Sequence, residues 1–136
     1  MDIHNRNKSS YGWWVATLIE RFQFDHEDLS NPRRRCRAFT NVVILKADNR
    51  EQAYKKAFEY GNLAIEDKST WEDDKGRKGR WIFEGLSSLL PIYDEMDPDG
   101  TEIFFEDDKN VTVGRVQSWV RQKSELEAFD DSDSNG

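Results

Sequence analysis

The 136-residue sequence predicts an α+β domain: an about four-stranded, mainly antiparallel sheet with two helices, in the order ββαββα. Three observations carry that class. Val42, Val43, Ile44 and Leu45 are apolar on both faces of an extended chain and rich in β-branched residues, the pattern of a central strand covered on both sides. Asp48 and Glu51 follow at capping-box spacing, offering acceptors to the free N–H groups of a helix's first turn. Beyond them Ala53, Ala57, Tyr60, Gly61 and Ala64 recur along one helical face, with Glu51 and Lys55 as an i,i+4 pair.

Each element follows in order. Residues 1–10 read as a disordered arm, 11–129 as one α+β domain, and 130–136 as a disordered acidic tail with nothing to bury. Trp14, Ala16, Leu18, Phe22 and Phe24 fall on one face of a first strand, Trp13 to Phe24. Turn chemistry from Asp25 to Pro32 then returns the chain as a hairpin into a second strand, about Arg35 to Ala47. The helix runs from Asp48 to about Glu66, and its small residues let it lie close to the sheet. The charged stretch 66–79, without periodicity, reads as a surface loop. Strand patterning resumes at Arg80–Gly85, a short helical turn is expected over Leu86–Tyr93, and a last strand over Thr101–Glu106. Asn110 or Thr112 then caps a second helix, extending to about Ala128, with Val113, Val116, Trp119, Val120 and Leu126 toward the core.

Composition bounds the function. A chain of this length buries about two-thirds of its unfolded surface without staples, and five Trp, four Tyr and eight Phe supply area that the aliphatic residues lack. A lone cysteine, Cys36, excludes an intramolecular disulfide and a zinc site built on several cysteines, which fits a reducing, cytoplasmic setting. The polar N-terminus has no signal-peptide core, and no apolar stretch reaches transmembrane length, so no membrane is expected. The net charge of −7 repels nucleic acid on average, although local patches override an average.

Several segments taken together are familiar. WVATLIE at 14–20, VVILKADNREQAYKKA at 42–57, RWIFEGL at 80–86, LPIYDE at 90–95 and DGTEIF at 99–104 resemble, in this order, the small bacterial domain-of-unknown-function family numbered four-two-eight-eight. The resemblance spans roughly residues 13–105 and implies a compact α+β bacterial domain with no catalytic residue to carry over. The basic segment Pro32–Arg37 and the 66–79 loop are the parts least like it.

Few residues suggest chemistry. Glu95 to Glu106 places oxygen atoms and a glycine partly as a calcium loop does, but Glu at its first position, Glu102 at its eighth and Phe104 and Phe105 beyond favour an acidic turn leading into a strand. Asp25, His26, Glu27 and Asp28 set an imidazole among carboxylates, yet consecutive turn residues point apart, as in a solvated loop. Cys36 beside Arg35 and Arg37 reads as a small core residue before it reads as a reactive thiol. No catalytic residue, metal or cofactor is assigned.

Two basic clusters, Arg33-Arg34-Arg35 with Arg37 and Lys75 to Arg80, precede strands that would share one end of the sheet if they run alike, with Trp71 and Trp81 near the second. Trp71, isolated in a charged loop, either folds back onto the core or anchors a partner. The leading expectation is a non-enzymatic cytoplasmic module that binds a protein partner through the 66–79 loop region, with Trp71 as anchor. The alternative is a phosphate-directed binder of nucleotides or nucleic acid using Arg33, Arg34, Arg35, Arg77, Lys78 and Arg80. A small enzyme using Asp25, His26 or scattered carboxylates ranks last. Oligomeric state is not legible.

Overall fold

The computed structural model describes residues 8–66 and 71–131. The chain divides into two compact units, Met1–Phe105 and Glu106–Gly136, each taken by itself. Of the expected arm, residues 1–7 lie outside the described residues, whereas Ser9 Oγ donates to the Ile92 carbonyl at 2.8 Å. Residues 132–136 of the expected tail also lie outside them.

The first unit is α+β. It contains β1 (Trp13–Phe24), β2 (Ala38–Lys46), α1 (Arg50–Glu66), the two-residue β3 (Trp71–Glu72) and β4 (Lys78–Pro91). The strands form one antiparallel sheet in the order β2-β1-β4-β3. Successive side chains of a strand alternate between faces, so Trp14, Ala16 and Leu18 of β1 share a face, where Val43, Leu45, Phe83, Leu86 and Leu89 join them. α1 lies over that face through Ala53, Ala57 and Gly61, all buried. No side chain separates helix from sheet at Gly61, where an added Cβ would stand 2.5 Å from the Phe83 ring. Trp14, Leu18 and Ile92 are fully buried, each contributing about 1.5–3 kcal/mol. The Trp14 indole N–H donates to the Ala47 carbonyl at 3.2 Å and so carries no unmet donor into the core.

The helix starts one residue later than its sequence pattern suggests. Asn49, not Asp48, is the cap: its Oδ1 accepts from Gln52 N–H at 2.8 Å, and Gln52 Oε1 reaches back to the Asp48 N–H at 2.5 Å. Glu51 pairs with Arg50 rather than Lys55, and Tyr60 is exposed instead of lining the packed face.

Three strand expectations are corrected. β2 is an edge strand, not a central one, and its even-numbered face is open, with Val42 and Ile44 about half exposed. Where a helical turn is expected over Leu86–Tyr93, β4 instead continues to Pro91, and Ile92 and Tyr93 belong to no helix or strand. Register with β1 shifts between Thr17 and Leu18 and between Ile19 and Glu20, so β4 carries two bulges, at Ser87 and Glu84. Each bulge resets the period-two alternation, which is why Leu86 and Leu89 mimic helical spacing. Gly85, at φ +140 between the bulges, adopts a backbone that side chains disfavour. Finally, Thr101–Glu106 forms no strand. Ile103, Phe104 and Phe105 are consecutive rather than alternating, and Pro91, beside this segment, has no N–H to offer a ladder.

The second unit holds α2 (Val113–Ser118) and two 3₁₀ turns, Lys123–Glu125 and Glu127–Phe129. Thr112 caps α2, its Oγ1 accepting from Arg115 N–H at 3.2 Å, as its sequence position suggested. The helix stops ten residues short of the expected end at Ala128, and Val113, Val116, Trp119, Val120 and Leu126 are all exposed rather than in a core. β-branched residues and a glycine are poor helix formers, and a helix this short is stable only when packing holds it. No helix among the described residues is long and apolar enough to cross a membrane.

Candidate functional site

β2 and β4 both run antiparallel to β1, so they begin at the same end of the sheet and bring the two basic clusters to either side of Phe24, where β1 ends. There Asp25 N–H donates to the Lys78 carbonyl at 3.0 Å. A ring cluster lies between the clusters on the helix-bearing face. Phe39 stacks on Trp81 with centroids 4.7 Å apart, Phe22 meets Trp81 edge-on at 5.5 Å, and Phe24 meets Phe22 edge-on at 4.9 Å. Arg37 caps the Phe39 ring at 5.0 Å and Arg77 caps Phe24 at 4.5 Å, so guanidinium groups already occupy the outer faces. Phe22 and Trp81 are buried and offer no open stacking platform.

The turns at this end spend several charges internally. In the β1–β2 loop, Glu27 Oε2 holds Arg34 Nε at 2.9 Å while Arg34 also donates to the carbonyls of Asn31 and Leu29. Partial burial works against the Glu27 charge, but the Phe24 N–H, the Arg34 hydrogen bond and the Arg34 and Arg21 charges outweigh it and hold its carboxyl below the ordinary range. Asp28 is likewise lowered by the hydroxyl and N–H of Ser30. At the β3–β4 tip, Asp73 accepts from the N–H groups of Lys75 and Arg77 at 3.0 and 2.8 Å and from Arg77 Nε at 2.8 Å. Gly76 turns the chain at φ +78. Desolvation opposes the Asp73 charge, yet the Arg77 and Lys75 hydrogen bonds and the Arg77 charge prevail and lower its pKa.

The sequence-predicted residues therefore separate into two groups. Arg34 and Arg77 are structural, whereas Arg33, Arg35, Lys78 and Arg80 are exposed and carry no ion pair among the described residues. Lys78 stands opposite Glu72, and Arg80 opposite Gln23. The backbone of Trp71 pairs with Gly79, and its side chain lies outside the described residues, as do residues 67–70 of its loop. Asp25, His26, Glu27 and Asp28 form no shared site: His26 is exposed beside Phe24, while Glu27 and Asp28 bind Arg34 and Ser30. Cys36 is exposed, not a core residue. The acidic segment is a turn, in which Gly100 N–H donates to the Asp97 carbonyl at 3.1 Å and Thr101 Oγ1 accepts from Asp97 N–H at 2.6 Å.

Two features went unread in the sequence. Glu20 is buried on the helix-bearing face, in register between Phe39 and Phe83; the even-numbered alternation of β1 already pointed there. The other is the second unit, where Val113, Val116, Trp119, Val120, Leu126 and Phe129 are all exposed and no residue from 106 to 131 is buried. Arg121 pairs with Glu127 and Lys123 lies over Phe129 at 5.0 Å, so local contacts hold the turns while the apolar side chains face outward. In the first unit the cleft between Leu90, Pro91 and Phe104 encloses about 30 Å³, room for about one water. In the second unit an open concavity of about 370 Å³ is lined by Asp108, Lys109, Thr112, Arg115 and Trp119.

Comparison with known proteins adds one finding. The family model described as Domain of unknown function (DUF4288) matches residues 13–105, ending at the last residue of the first unit. No curated protein and no solved structure matches the chain.

Proposed function

Because the chain belongs to the DUF4288 family over its first unit, and that family carries no assigned chemistry, we propose from the exposed side chains that it is a non-enzymatic protein-interaction module. One observation carries the reading. Residues 113–129 hold six large apolar side chains, from Val113 to Phe129, every one at least 40% exposed, in a segment without a core. Water-facing clusters of that kind mark surfaces that another protein covers, and Trp is the residue type most enriched where binding energy concentrates. The contact surface thus moves from the 66–79 loop, where Asp73 binds Arg77, to the segment following the family domain. The same reading places the protein in a bacterial cytoplasm, a setting that its lone, exposed Cys36 suits.

A second reading keeps one favourable observation: both basic clusters reach one sheet end, with Arg33, Arg35, Lys78 and Arg80 exposed there. A phosphate-bearing ligand would be held there by charge, and its affinity would fall steeply with salt. Affinity recovery from native bacterial lysate separates the two. A protein retained at high salt by the wild type, and lost from Trp119→Ala at unchanged melting temperature, supports the module. Salt-labile nucleic acid that depends on Arg35 and Arg80 replaces it with the second reading.

A further inference from the structure

The open edge of β2 points to a partner that needs no lysate: a second copy of this chain. Phe22 N–H donates to the Arg37 carbonyl at 2.9 Å and Ala47 N–H to the Gly12 carbonyl at 2.8 Å, so the odd-numbered residues along β2 exchange hydrogen bonds with β1. The even-numbered residues, Ala38, Thr40, Val42, Ile44 and Lys46, therefore turn N–H and C=O outward. Among the described residues only the Lys46 carbonyl accepts a hydrogen bond on that side, from Lys56 Nζ at 2.7 Å. Proteins blunt such edges with bulges, prolines, charges or very short strands. The opposite edge of the sheet has these devices, two bulges in β4 and a β3 of two residues. Between Phe39 and Leu45 β2 has none: that stretch contains no charge, proline or glycine, and the register of β2 with β1 is unbroken over nine residues.

We propose that β2 pairs antiparallel with β2 of a second copy about a two-fold axis at Val42, joining two four-stranded sheets into one. This goes beyond the docking reading of residues 113–129 and does not rest on it. The register follows from the residues. Val42 facing Val42 is the one two-fold alignment in which all nine residues of β2 find a partner. It joins Thr40 to Ile44 and Ala38 to Lys46 on the open face, and Phe39 to Leu45 on the helix-bearing face, so no like charges meet. Sliding to Thr40 on Thr40 would leave only residues 38–42 of β2 paired, and sliding to Ile44 on Ile44 only residues 42–46. Past the strand ends, the Val42 register sets Cys36 opposite Asp48 of the other copy, with Arg35 and Arg37 on either side, a complementary charge contact made twice. The two-fold axis is perpendicular to the sheet and keeps both copies of α1 on one face. Val42 and Ile44 of both copies then lie side by side across the junction, where each shields part of its neighbours' exposed apolar surface.

Sedimentation of the full chain from micromolar to near-millimolar loading tests this. The expected result is a concentration-dependent shift toward twice the 16.0 kDa of one chain. Val42→Lys and Val42→Glu, each alone, should remain monomeric, because each puts like charges face to face, and mixing the two should restore the dimer. Val42 is 55% exposed, so both variants should fold, with circular dichroism as the check. In a Cys36→Ser background, Thr40→Cys combined with Ile44→Cys should oxidise to a covalent dimer, since facing residues stand about 5.5 Å apart between Cα atoms. A wild type that stays monomeric throughout overturns the proposal. So does a dimer indifferent to Val42→Lys, or one that the cysteine pair does not trap.

Discussion

Gly79 shows how a single position can be decided by its neighbours' backbone. A Cβ there would overlap the Gln23 carbonyl oxygen and the Phe22 ring, and a backbone carbonyl held in a ladder cannot swing aside. Gly79→Ala should lose about 3 kcal/mol, the upper part of the overpacking range; a lowered urea midpoint at unchanged slope would register it. Asp73 makes the pH argument at the same scale. Its folded pKa is depressed by its Arg77 and Lys75 hydrogen bonds against the opposing effect of desolvation, so its contribution is present above the unfolded pKa and lost as pH falls through the folded one. Amide exchange should therefore show the Lys75 and Arg77 N–H groups losing protection in acid, below the ordinary aspartate range. In Asp73→Asn that acid step should vanish; protection that holds at low pH in the wild type would refute the assignment.

At the scale of elements, the closeness of α1 to the sheet is the property most open to test. Gly61→Ala gains about 1 kcal/mol of helix propensity, but its methyl would stand 2.5 Å from the Phe83 ring, which Phe58 abuts at 5.3 Å. Overpacking of that kind costs about 1–3 kcal/mol, so the net effect should be a loss of about 1 kcal/mol. Phe83→Leu in the same chain should recover part of it, a coupling that a double-mutant cycle reads directly. The elements also show what sequence patterning can carry. β1, β2 and α1 were legible because their signals are local: alternation from Trp14 to Phe24, a β-branched run, and acceptors three residues apart. The full length of β4 was not, because bulges at Glu84 and Ser87 break the alternation that marks a strand. The burial expected of Val42 and Ile44 failed for another reason: strand order is set by long-range pairing, and no residue in β2 announces that it lies at an edge. For the candidate site, convergence of the two arginine clusters followed from strand direction, whereas the internal use of Arg34 and Arg77 depended on turn geometry that spacing alone does not encode.

Across the whole molecule, the division at Phe105 and Glu106 coincides with a change in what the apolar residues do. Among the described residues every buried hydrophobic one, from Trp14 to Ile92, belongs to the first unit, and the family match ends at residue 105. In the second unit the exposed apolar residues from Val113 to Val120 are accompanied by Lys109, Arg115, Arg121 and Lys123, with acidic residues before and after. A segment that spends no apolar area on its own core loses little when removed and has much to gain from a partner. A chain ending at Phe105 should therefore keep its melting temperature to within about 4 °C, the shift that about 1 kcal/mol produces at this size, while losing the salt-resistant partner. Scanning calorimetry and affinity recovery on the same preparation give both readouts. A large melting loss would assign residues 106–131 to the fold rather than to docking, and a partner retained by the shortened chain would return the contact surface to the family domain and its Trp71 loop.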